Sequence, residues 1–128
     1  MRGEPETLEL IDRLRAICMA LPSVNERVSH AEPNWFVKKG FVQFADHHHD
    51  DRVGFWCAAP DGAQQALIAA EPTRFYKPPY YGVRGWLGVY LDVPYVDWTL
   101  IESIVEDAYR CTAPAKAIAE LDVRRRRS

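Results

Sequence analysis

Positive charge is scarce in most of this 128-residue chain. Four of its 16 basic residues are the run Arg124 to Arg127, so residues 1–123 carry 12 basic against 18 acidic groups, a net −6. Proteins that hold nucleic acid usually show the opposite excess, because phosphates must be neutralised. Long apolar runs are also missing. No stretch approaches the ~20 residues that a spanning helix needs, and the opening MRGEPETLEL is acidic with no apolar core of the leader type. The three cysteines, Cys18, Cys57 and Cys111, are far apart and fit no CxxC zinc or redox pattern. Together these absences suit a reducing cytoplasm better than a disulfide scaffold. G-x-S-x-G, H-E-x-x-H, P-loop and dinucleotide-binding fingerprints are absent too.

What is present is an ordinary globular composition, 48% hydrophobic and 27% charged, sized for one domain over residues 1–123. The basic residues 124–128 read as a solvated, unfolded tail. Leu8, Ile11, Leu14, Ile17, Cys18 and Leu21 recur at helical spacing, and Pro22 stops that helix. ERVSH, NWFVK and GFVQFA then read as short strands, with a turn expected at Lys39-Gly40. In FVQFA, Val42 and Phe44 share one face, and Phe41, Gln43 and Ala45 the other. RVGFWC alternates Val53, Phe55 and Cys57 against Arg52, Gly54 and Trp56.

Pro60-Asp61-Gly62 opens a short helix with Ala63, Ala66, Leu67 and Ala70 on one side. FYKPPYYGVRG reads as a loop or irregular strand, since Pro78-Pro79 cannot occupy a central ladder. WLGVYLD sets Leu87, Val89 and Leu91 opposite Trp86, Gly88 and Tyr90. A final helix, capped by Asp97 or Thr99, nears its end at Pro114. The order α-β-β-β-β-α-β-α with short turns implies an α+β fold, an antiparallel sheet with helices packed on one face.

Four segments, SHAEPNWFV, FADHHHDDRVGFWCAAPDGAQQAL, FYKPPYYGVRGWLGVYLD and VDWTLIESIVEDAYRCTAP, carry a more specific signal. They contain S-H-x-x-P, W-C-x-A-P-x-G, an R-G-W strand and a V-D-W helix start. In this order the chain resembles the MmcQ/YjbR family from about Leu21 to Pro114. The resemblance implies a CyaY-like fold and a DNA-binding role, the latter by analogy with a double-wing fold. Ala58 departs from the lysine that often precedes the A-P-x-G turn, which removes one cation from such a surface.

Two constellations compete for a function. His47, His48 and His49 lie between aspartates and invite a metal, but metal ligands must converge, whereas three adjacent side chains on a strand or turn splay. A polar hairpin turn accounts for them, and no metal or cofactor is expected. His30, beside Ser29 and Glu32, has no fixed nucleophile for a catalytic role. The alternation instead sends Arg52, Trp56, Trp86 and Tyr90 to the sheet face away from the helices, near Lys77, Tyr80, Tyr81 and Arg84.

Rings interleaved with Arg and Lys stack on bases and neutralise phosphates, or hold a small planar or anionic ligand. The competing expectation is that the proline-rich loop covers these rings as a second small core. The site residues expected are Lys38, Lys39, Arg52, Trp56, Lys77, Arg84 and Trp86, serving a non-catalytic module. Its partner is expected to be DNA, bound with weak sequence specificity. The alternative is a small ligand or protein partner on the same face.

Overall fold

The structure is a computed structural model that describes residues 5–47 and 50–127. A helix, α1 (Pro5–Met19), precedes four consecutive strands, β1 (Asn25–Ser29), β2 (Glu32–Val37), β3 (Lys39–Asp46) and β4 (Val53–Cys57). A short helix, α2 (Ala63–Ala70), leads to β5 (Phe75–Tyr76), a single 3₁₀ turn (Gly82–Arg84) and β6 (Leu87–Tyr90). Two helices close the described chain, α3 (Trp98–Thr112) and α4 (Ala115–Arg127). The strands form one sheet in the order β1-β2-β3-β4-β6-β5, and every neighbouring pair is antiparallel. This is the α+β class that the short turns imply.

The core lies between the sheet and the helices. Trp35, Val42, Phe44, Phe55, Leu87 and Val89 meet Ile11 and Leu14 of α1 and Ile101, Val105 and Tyr109 of α3. Apolar area removed from water stabilises this layer at roughly 25 cal/mol per Å². Two of its polar groups find partners: the buried Tyr109 hydroxyl donates to the Pro22 carbonyl at 2.6 Å. The Trp35 indole N–H donates to Glu26 at 2.9 Å.

Several local expectations shift. The link between β2 and β3 is the single residue Lys38, in the left-handed region at φ 70°, and Lys39-Gly40 already belongs to β3. A bulge at Trp35/Phe36 breaks the pairing register beside β3. Phe41 therefore turns into the core and meets Tyr109 edge-on at 5.7 Å, instead of sharing the Gln43 face. Asp97, not Thr99, caps α3, accepting from the Leu100 N–H at 3.1 Å. On α2 the inward side is Gln64, Leu67 and Ile68, while Ala66 and Ala70 are exposed.

The largest shift is at the C-terminal end. Pro114 opens α4 rather than trailing α3, its carbonyl accepting from the Ala117 and Ile118 N–H groups. Arg124–Arg127, expected as an unfolded tail, form the last turn of α4. Buried Ala117 and Leu121 anchor that helix to the core, and Arg124 pairs with Glu120 one turn back at 3.0 Å. Cations at a helix C-terminus also complement its dipole.

Candidate functional site

The face of the sheet opposite α1 and α3 is built by alternation. The register sets Asn34, Gln43, Trp56, Gly88 and Tyr76 in one row across β2, β3, β4, β6 and β5. Gly88 leaves the space that the Tyr76 ring fills; a Cβ there would lie 2.4 Å from two of its ring carbons. Tyr76 stacks on Tyr90 with centroids 4.3 Å apart and accepts the Trp56 indole N–H at 2.8 Å. Burial pushes the Tyr76 phenol well above its ordinary range, so it remains protonated at any physiological pH.

The proline-rich segment folds back over this aromatic layer. Tyr81 stacks on Trp86 at 4.8 Å and leans on Trp56 at 6.1 Å. One side chain from outside the sheet holds the segment: Gln64 of α2, only 5% exposed, donates to the Gly82 carbonyl at 2.8 Å and the Trp86 carbonyl at 2.6 Å. Trp56 is 4% exposed as a result, so its ring is a wall and not a free stacking platform.

The cover is incomplete, and a cleft of about 620 Å³ remains. Gln43 and Trp56 line it from the sheet, His30 from the β1–β2 turn, and Tyr80, Tyr81, Val83 and Arg84 from the folded-back segment. Its lips are unusually apolar for exposed positions: Tyr80 is 86% exposed and Val83 83%. Tyr80 also holds φ at 65°, a left-handed conformation costly for an aromatic residue. Neither the Arg84 guanidinium nor the Gln43 amide makes a polar contact with the described residues. The cleft thus offers ring surface, one fixed positive charge and one neutral amide.

The sequence model of the YjbR family matches residues 19–111, nearly three quarters of the chain. The chain belongs to the YjbR family. No curated protein and no solved structure matches it. The YjbR match spans all six strands and every residue lining the cleft, and stops before α4.

Within this YjbR domain the seven expected site residues do not form one surface. Trp56 and Arg84 share the cleft, and Trp86 supports it from behind Tyr81. Lys77 runs against Gly82, where an added Cβ would lie 2.4 Å from its Cγ, and it does not line the cleft. Lys38 and Lys39 are exposed on the β2–β3 turn. Arg52 stands at the opposite end of the sheet, already committed: it pairs with Asp92 at 2.9 Å and covers the Tyr90 ring at 3.9 Å. The Asp92 hydrogen bond and charge raise its pKa further, so it is a fixed structural cation.

Sequence reasoning passed over Gln43 and Gln64: the first was set opposite Val42 and Phe44 without a role, and the second lacks any apolar signal. His30, considered for catalysis, is instead a rim residue whose Nδ1 lies 3.1 Å from the Ser29 hydroxyl. His47 is an exposed turn residue bonded to Asp46, whereas His48 and His49 lie outside the described residues. Among the described residues no three His, Cys, Asp or Glu side chains converge as metal ligands would. Burial pushes the Cys18 and Cys57 thiols well above their ordinary range, which keeps them from acting as thiolate nucleophiles. No described helix is long and apolar enough to cross a membrane.

Proposed function

We propose that this YjbR domain is a non-catalytic binding module that holds one small, ring-bearing ligand in the cleft between Trp56 and the Tyr80–Arg84 segment. The observation that carries the reading is an open cleft with aromatic walls and unpaired polar groups, within the size range of small-molecule sites. Rigid walls favour this use. The stacked Tyr81–Trp86 pair and the Gln64 clamp fix the cleft's shape before a ligand arrives, which lowers the entropy lost on binding.

The DNA reading is weaker on the same ground. A groove that tracks a phosphate backbone needs several free cations in line, but Arg52 is tied to Asp92, and Lys38 and Lys39 do not line the cleft with Arg84. The chain as a whole, with its four terminal arginines folded into α4, is at −2 and offers a polyanion no excess of positive charge.

Two measurements test the proposal. In ¹H–¹⁵N spectra, a panel of small planar compounds should contain members that saturably shift the Trp56 indole N–H, with the effect weakened in Tyr80→Ala. If no member shifts it, the reading fails. A 20-base-pair DNA duplex should show no binding at about 50 mM salt. Tight binding, falling steeply with salt and lost when Lys38 and Lys39 are neutralised, would favour DNA instead.

A further inference from the structure

Resting on the cleft reading above, we infer that the ligand is an aromatic monocarboxylate with a polar group on its ring, its carboxylate held by Arg84 and its ring substituent by Gln43. The charge count in the cleft decides the anion. Among the described residues Arg84 is the one of fixed positive charge in the lining, and it makes no polar contact with the others. Other arginines of the body are engaged: Arg15 with Glu26, Arg52 with Asp92, Arg74 with Glu71 and Arg110 with Asp122. A guanidinium fork matches a carboxylate through two parallel N–H···O bonds, so one arginine satisfies one such group fully. A mononucleotide or diphosphate would bring more negative charge than the single cation of this lining can balance.

The rest of the lining sets the shape of the ligand. Trp56 and Tyr81 wall the cleft with packed aromatic surface and Tyr80 adds an exposed ring at its lip, which suits a flat aromatic body rather than an aliphatic acid. Gln43 stands on the sheet floor while Arg84 stands on the folded-back segment, so the two polar contacts come from different walls. The amide supplies both a donor and an acceptor, which matches a hydroxyl on the ring.

Calorimetric titration of the full chain with 4-hydroxybenzoate, 4-hydroxybenzyl alcohol and 4-hydroxyphenyl phosphate separates the possibilities. The carboxylate should bind tightest. Arg84→Gln should weaken it roughly ten- to hundred-fold, the usual worth of a charge-assisted pair, and Arg84→Lys should restore part of that loss. With benzoate added as a control that lacks the ring hydroxyl, Gln43→Leu should weaken 4-hydroxybenzoate more than benzoate, while Arg126→Gln, outside the cleft, should change nothing. Equal binding of the alcohol and the carboxylate, or no effect of Arg84→Gln, would overturn the carboxylate assignment and leave ring binding standing. Tighter binding of the phosphate would overturn the assignment of the anion. If none of the three binds, this inference fails, and the cleft reading fails with it only when the wider planar panel is also silent.

Discussion

Gln64 does more for the cleft than any ring in it. Its single amide nitrogen ties α2 to two carbonyls of the segment that forms one wall; the bond to Gly82 is buried and that to Trp86 partly so. Gln64→Ala would strand those carbonyls and loosen the wall. The expected cost is about 1–3 kcal/mol in urea unfolding, accompanied by weaker ligand binding. A variant with unchanged stability and binding would show that the packing of Tyr81 on Trp86 holds the segment unaided. This role was not legible in the sequence, because a glutamine on a short alanine-rich helix reads as solvent-facing. The face of Trp56 was legible, since alternation along β4 sets it opposite Val53, Phe55 and Cys57; that Gln43 lies beside it is decided by the β3–β4 register.

At the scale of elements, the strands and α3 follow from local patterns, whereas α4 and the bulge do not. AKAIAELDVRRRR is too polar to declare a buried stripe; only its contact with the core shows that Ala117 and Leu121 are inside. Leu121→Ala is expected to destabilise the protein by about 2–4 kcal/mol in chemical denaturation, as for a buried leucine. An unfolded tail would give no change. The Phe41 misplacement has a related cause: one extra residue in a strand reverses every face beyond it, and register is settled by the partner strand.

Across the whole molecule, ion pairs join elements distant in sequence and make stability depend on pH. Arg15 of α1 hydrogen-bonds Glu26 of β1 at 2.8 and 3.0 Å, and this bond holds the Glu26 carboxyl below its ordinary value of 4.5. Burial pushes Glu106 of α3 upward, but hydrogen bonds from Arg125 of α4 and Arg110 outweigh it and leave the carboxyl lowered. A carboxyl that is more acidic in the folded state stabilises fully above its ordinary pKa. That contribution fades as pH falls from 4.5 through the lowered folded value. Glu26→Gln keeps the shape and loses the charge. Its Tm should therefore lie below wild type near pH 7, with the gap closing under acid conditions. A gap that persists at pH 2 would mean that packing, not charge, accounts for the loss.

The family, the α+β class and the inward face of most strands were determined by the sequence alone, because motif spacing and period-two alternation are local properties of the chain. Tertiary structure decided which cations remain free. Arg52 and Arg84 look equivalent in a string of letters, yet Asp92, forty residues beyond Arg52, takes the first and leaves the second facing the cleft. Pairing across such separations depends on how strands align in space, and no periodicity in the chain encodes it.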